Sequence, residues 1–176
     1  MSATTISLSN PGAAPPELVL PARPEPVEGR GGTARKRRPR ALLLDHDPFS
    51  VRLLGAALRC RGFDVASAAD GQEGVRALLD ELLQLDVLVV SLGLPVRDGW
   101  AVLRLIRGAG GERDLPVVVA ADGPPDAVRA QLRALGADAV VDLRAGPGAL
   151  ADEVERVLCR AGRTQPRGPL APRRAA

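Results

Sequence analysis

The chain is predicted to fold as an α/β domain: a five-stranded parallel sheet with helices on both faces. Three observations carry that expectation. Short apolar runs recur roughly every 22 to 30 residues, each flanked by turn residues. Between successive runs lies a stretch whose apolar residues return at helical spacing, the alternation of right-handed βαβ units. The central runs, Val87–Val90 and Leu115–Ala121, are apolar at nearly every position, as strands covered on both faces are.

The first strand is placed at Ala41–Leu44 and ends at Asp45-His46-Asp47-Pro48. Proline suits the first turn of a helix, and Asp47 can cap it. From Phe49 to Arg61 the residues Val51, Leu54 and Leu58 recur on one side, with Arg52, Arg59 and Arg61 elsewhere, until Gly62 stops the helix. Phe63–Ala68 is the second strand. Asp70-Gly71 opens a second helix carrying Val75, Leu78, Leu79 and Leu82 inward. Asp86–Val90 is the third strand, stopping at Ser91. Gly99–Arg107 is the third helix, holding Trp100, Leu103 and Ile106, while Gly93 and Gly99 serve backbone geometry. The connection GAGGERD lacks the Lys-Ser/Thr ending of a phosphate loop and is expected to be a flexible link. Leu115–Ala121 is the fourth strand. Pro124 and Pro125 start a fourth helix running to Leu135, and Gly136 stops it. Ala139–Leu143 is the fifth strand, and Ala149–Ala161 a last helix with Leu150, Val154, Val157 and Leu158 inward.

Outside this block the sequence changes character. Residues 1–40 are rich in Pro, Gly and Arg with no usable periodicity, and residues 163–176 are similar, so both are expected to be disordered tails around a domain at 41–162. After Gly162 no output domain fits, and a stand-alone domain is expected. The stretch PELVLPARPEPVEGRGG resembles translated palindromic repeats of high-GC bacterial reading frames. The formal net charge of +3 divides unevenly: the tails carry 11 basic and 3 acidic residues, the domain 13 and 18. Lys36 is the only lysine and tyrosine is absent, a skew that points to nucleotide composition and discounts the basic pI of about 9.6. Arg35–Arg40 could hold phosphates of nucleic acid or of anionic lipid; a solvated basic tail beside an acidic domain is the preferred reading. No apolar run is long enough to cross a bilayer, and the first residues lack the basic start and apolar block of a secretory signal, so a cytoplasmic location is expected. Cys60 and Cys159 fall on helices without metal spacing and are expected to be unpaired, mostly buried thiols.

In order and spacing, LLLDHDP, GFDVASAADGQEGV, LGLPVRDGWAVLRLIR, DLPVVVAA and LGADAVVDL resemble the response-regulator receiver domains of two-component signalling, over essentially all of Ala41–Gly162. The resemblance implies a flavodoxin-like, doubly wound sheet in the order 2-1-3-4-5 with five helices. It also implies which residues matter. The family's phosphate-accepting Asp falls on Ser91, and its second metal-binding acid on His46, leaving Asp45 as the only retained acidic ligand; Asp47 completes a vestigial acidic turn. The Thr/Ser that reads the phosphoryl group falls on Ala121, the Lys on Leu143, the following Pro on Arg144 and the aromatic switch residue on Val140.

Each departure has a chemical meaning. A receiver takes phosphate by carboxylate attack beside a hard divalent cation that neutralises developing charge. Mg²⁺ favours oxygen donors in near-octahedral array, and an imidazole is a poor substitute. Ser91 is a weak nucleophile without a base, and its product would be a stable ester. Leu143 removes the cation that would pair with an added phosphoryl group. The expectation is a pseudo-receiver that needs no cofactor, binds Mg²⁺ weakly or not at all, catalyses nothing and docks to a protein partner such as a histidine kinase. By resemblance, the docking face is Pro124–Leu135, Val140–Leu143 and Ala149–Ala161. Two rivals remain: a nucleic-acid-associated protein using its basic tails, and a small-ligand sensor whose altered pocket is lined by Ser91, Ala121 and Leu143. His46 as a metal ligand or pH sensor, and Ser91 as a kinase target, are the sharper readings; a polar replacement in a relaxed turn and a small space-filler are the preferred ones. Trp100, following Asp-Gly at a helix start, is expected to pack inward.

Overall fold

A computed structural model describes residues 37–81, 84–108 and 115–162. Five parallel strands, β1 (Arg40–Leu44), β2 (Asp64–Ala68), β3 (Val87–Ser91), β4 (Val117–Ala121) and β5 (Ala139–Asp142), form one sheet in the order β2-β1-β3-β4-β5. The helices are α1 (Pro48–Cys60), α2 (Gly71–Glu81), α3 (Gly99–Gly108), α4 (Asp126–Ala134) and α5 (Pro147–Arg160), with a 3₁₀ turn at Leu143–Ala145. The flavodoxin-like order and all ten predicted elements are present.

Alternation along the strands divides the core into two layers. Leu42, Leu44, Leu88, Val90, Val117 and Val119 point to the side covered by α2, α3 and α4, where Leu78, Val102, Leu103, Ile106 and Leu132 meet them. Ala41, Leu43, Val87, Val89, Val118 and Ala120 point to the other side, beneath Leu54 and Leu58 of α1 and Leu150, Val154 and Leu158 of α5. Both faces of β1, β3 and β4 are therefore dry, which is why those runs lack polar alternation. Arg61, just past α1, forms ion pairs with Asp152 and Glu155 of α5 and ties the two helices of that layer together.

Several expectations are corrected. Leu79 is 41% exposed: one residue on from buried Leu78, it sits roughly 100° further round the helix, and Gly74 takes the inward place against Leu44. Cys60 is exposed and Cys159 only partly buried, because Cys60 lies roughly 200° round from Leu58. Leu143 leaves the fifth strand to open the 3₁₀ turn, and α5 begins at Pro147, two residues early. Trp100 packs partly buried against the α2–α4 layer, as expected. Leu82, the residues of the GAGGERD connection after Gly108, and both tails beyond residues 37 and 162 lie outside the described residues.

Candidate functional site

Between β1 and β3 the chain leaves the sheet in opposite directions, to α1 on one face and to α3 on the other. A crevice at the carboxyl ends of the strands follows from that divergence. Ser91 ends β3 on this edge, half-buried and paired in register with Ala120. On the other side stands Asp45, just beyond β1, whose register with β3 (Leu44 beside Val90) makes it Ser91's neighbour across the strand pitch.

Asp45 is buried, 4% exposed. Its N–H donates to the Ala68 carbonyl (3.2 Å) and its Oδ1 accepts the Asp47 N–H (3.0 Å), the local turn Asp forms readily. His46 Nδ1 lies 3.8 Å from that same oxygen, and the imidazole is more than half exposed. A methyl group built on Gly93 would sit 3.9 Å from His46 Cε1, so the ring hangs over the loop after β3. Asp47 faces its own helix. It accepts from the N–H groups of Phe49 (3.2 Å) and Ser50 (3.0 Å) and from the Ser50 hydroxyl (2.8 Å), and these donors, the hydroxyl foremost, hold its carboxyl below the usual range. The capping role read from sequence is present, and it engages both oxygens.

The loop from Leu92 to Asp98 is packed closely at both ends. Gly99 donates to the Leu92 carbonyl (3.2 Å), and a Cβ on Gly99 would come within 2.4 Å of the Ser91 carbonyl oxygen. A Cβ on Gly71 would strike the Arg97 carbonyl at 2.0 Å. Asp98 caps α3 by accepting the Ala101 N–H (2.7 Å). Between them Val96 is held at φ +64°.

On the β4–β5 side, Ala121 is buried, 8% exposed, opposite Asp142. Val140 belongs to the α2–α4 core, and Leu143 packs against the α1–α5 layer. Arg144 is exposed, with Nε 2.9 Å from Asp122 Oδ1, and its guanidinium lies over Gly123 (φ +56°), where a Cβ would be 2.1 Å from Cζ. Asp142 Oδ1 accepts the N–H groups of Gly123 (2.9 Å) and Arg144 (3.0 Å), and these hold its carboxyl below the usual range, with Arg144 and Arg129 adding charge. Arg129 of α4 reaches the carbonyls of Pro124 (3.1 Å) and Val140 (3.2 Å) and stands 3.6 Å from Asp142 Oδ2. Sequence reasoning missed this latch between the β4–α4 loop and β5; an Asp on a strand and an Arg on a helix carry no mark of their pairing.

The rim thus holds one carboxylate, one hydroxyl and one imidazole. The Ser91 hydroxyl has no hydrogen bond or ion pair among the described residues. No three His, Cys, Asp or Glu side chains among the described residues lie together so as to hold a metal ion. Asp45 already accepts a backbone N–H and His46 offers nitrogen, so this donor set fits Mg²⁺ poorly. No helix among the described residues is long and apolar enough to cross a membrane.

The profile of the response regulator receiver domain matches residues 41–155. The transcriptional regulatory protein PrrA of Mycobacterium tuberculosis is 37% identical over 120 residues, 68% of this chain and 48% of that one. The DNA-binding response regulator MtrA of Mycolicibacterium smegmatis is 34% identical over 82 residues, 47% and 34% of the two chains. The chain spans about half the length, or less, of the curated relatives it matches. Among solved structures, a putative response regulator from Chloroflexus aurantiacus superposes with a TM-score of 0.65 at 23% identity, covering 70% of this chain and 100% of that one. A receiver domain from Clostridium thermocellum gives 0.64 at 17%, covering 70% and 97%.

Proposed function

The chain belongs to the response regulator receiver domain family of two-component systems, and from that premise we propose that it works by docking to a protein partner without being phosphorylated on an aspartate. One observation carries the proposal: the strand end that would present a carboxylate nucleophile presents the Ser91 hydroxyl, beside a single acidic neighbour, Asp45. A labile acyl phosphate forms only on a carboxylate, and a serine phosphate would be a stable ester. Leu143, packed against the α1–α5 core, supplies no cation for an incoming phosphoryl group. Mg²⁺ is expected to bind weakly or not at all.

The partner is a histidine kinase or another signalling protein, and the face offered to it lies on α4, β5 and α5. On α4 the residues Ala127, Ala130, Gln131, Arg133 and Ala134 are exposed, whereas Val140 and Val141 of β5 are buried, so the helices supply most of that contact. Without a phosphoryl group to favour one state over another, occupancy follows the concentrations of the two proteins.

The test is incubation of the full chain with acetyl phosphate and Mg²⁺, followed by intact mass and hydroxylamine treatment. No phosphoryl adduct is expected. A hydroxylamine-labile adduct overturns the proposal. The relatives named as DNA-binding or transcriptional regulators make nucleic-acid association a second reading through Arg35–Arg40. Within that run, Arg37 is engaged with Asp86 by paired 2.9 Å hydrogen bonds, which ties it to the domain and weakens the case.

A further inference from the structure

α1 buries one side and leaves the opposite side apolar. Leu54, Gly55 and Leu58 face the core, and the stripe directly across the helix is Phe49, Leu53, Ala56 and Cys60, all exposed, Phe49 at 72% and Leu53 at 43%. A surface helix ordinarily turns charged or polar residues to that side. The steps between the four residues, four then three then four, are those of the a and d places of a heptad, the seam along which one helix packs on another. We infer that this seam is a dimer interface, covered by α1 of a second copy of the chain, with the two helices parallel.

The flanks of the seam select that occupant and its direction. On the flank toward β2 stand Arg52 and Arg59, and α1 has no acidic residue. Arg59 gives one N–H to the Val65 carbonyl of β2 (3.2 Å) and keeps its charge on that flank, and Arg52 makes no hydrogen bond or ion pair among the described residues. On the flank toward α5 the balance is reversed, because Asp152 and Glu155 share a single cation, Arg61. A two-fold axis along the helices sets each copy's positive flank against the other's negative one. An axis across the helices would set arginine against arginine. The heights agree too, since Arg59 lies roughly 3 Å up the helix from Arg61, which touches both carboxylates.

Parallel pairing stacks Phe49 on Phe49 and Leu53 on Leu53, with small Ala56 letting the backbones close, and it brings Cys60 opposite Cys60. Packed helices lie about 8–10 Å apart, which leaves facing Cα atoms about 4–6 Å apart, within the span of a disulfide. α4 lies on the other face of the sheet and stays open to the partner proposed above. One helix pair is a small contact, so the dimer is a weak one, with Kd on the order of 100 µM.

The experiment follows the full chain by sedimentation velocity from about 10 µM to about 1 mM in reducing buffer. The sedimentation coefficient is expected to rise toward that of a dimer, and Phe49→Ser to weaken self-association about tenfold with an unchanged melting curve. Direction is read by cross-linking, with diamide accepting two electrons and two protons from a pair of thiols as the S–S bond forms. In Cys159→Ser, Cys60 is expected to cross-link about tenfold faster than a thiol placed on exposed α4 by Ala127→Cys in a chain also carrying Cys60→Ser and Cys159→Ser. Adding Phe49→Ser should remove that advantage. A chain that stays monomeric overturns the inference, as does a dimer indifferent to Phe49→Ser or one whose Cys60 thiols cross-link no faster than those on α4. A monomer that instead binds an acidic amphipathic peptide or phosphatidylserine vesicles through Phe49 gives the seam another occupant and overturns it too.

Discussion

Replacing Val96 by glycine is expected to raise the stability of the domain. Val96 sits at φ +64° in the loop after Ser91, and the residue is 79% exposed. An L-residue in the left-handed region costs about 1–2 kcal/mol, and a β-branched one lies toward the upper end. Glycine removes that cost but adds unfolded-chain entropy worth about 0.5–1 kcal/mol. The valine contributes little burial in exchange, about 0.3 kcal/mol for the fifth of its surface that is covered. The balance favours Val96→Gly by about 0.5 kcal/mol, and by about 1 kcal/mol at most. For a domain of this size that is a rise of roughly 2–5 °C in Tm, and an increase of about 0.4 M in the urea midpoint at unchanged m-value. Val96→Asn, which tolerates the same φ, should fall between the two. The loop's ends stay fixed by the Asp98 cap and by Gly99 on Leu92, so the change acts at one residue. A Val96→Gly protein that melts below the parent refutes the reasoning.

Gly99→Ala drives a methyl group into the Ser91 carbonyl and is expected to lower stability by about 1–3 kcal/mol, seen in urea unfolding, with chemical-shift changes concentrated at Ser91 and Leu92. Asp47 and Asp142 have carboxyls held below their usual range, so their stabilisation is complete above about pH 4 and is lost as the pH falls through their lowered folded values. Asp47→Asn and Asp142→Asn should each flatten that acid limb of a Tm-against-pH curve. Ser91→Asp sets a second carboxylate one strand pitch from buried Asp45; Tm should fall at pH 7, recover partly toward pH 5 where the parent does not, and acetyl phosphate should still leave no labile adduct. Leu58→Ala, at 0% exposure between α1 and the sheet, should cost about 2–5 kcal/mol by denaturant titration.

The fold is legible because its signals are local and repeated. A four-residue apolar run such as Leu88–Val90 with its neighbour Val87 admits few placements other than a central strand, and Gly62 and Gly136, both at positive φ, end α1 and α4 where the pattern expects them to. The errors sit where one residue's place depends on how a helix is rotated on the sheet. Leu79 and Cys60 have core-compatible side chains, but Gly74 and Leu58 fix the rotation and leave them outside. The site divides in the same way. Asp47 as a cap is a pattern within four residues, and the sequence carries it. The Asp142 latch joins residues from three segments and has no local mark.

That latch bears on the proposal that the domain works without phosphorylation on an aspartate. A domain that responds to a bound phosphoryl group needs an element with two positions between which that group can choose. Here the β4–α4 loop is bound to β5 twice, by the Gly123 N–H on Asp142 and by Arg129 bridging Pro124 and Val140. The exposed Arg144–Asp122 pair adds little by itself, since such pairs are worth about 0–1 kcal/mol, but the charged acceptor at Asp142 is the stronger tie. A ligand shifts a two-state loop only by the difference in its affinity for the two states. With Ala121 offering no hydroxyl and Leu143 no charge, a phosphoryl group at Ser91 would find no group on this side to pull against the latch. The loop's position would then be set by the chain itself, and a partner docking on α4, as proposed, would meet one surface whatever happens at Ser91.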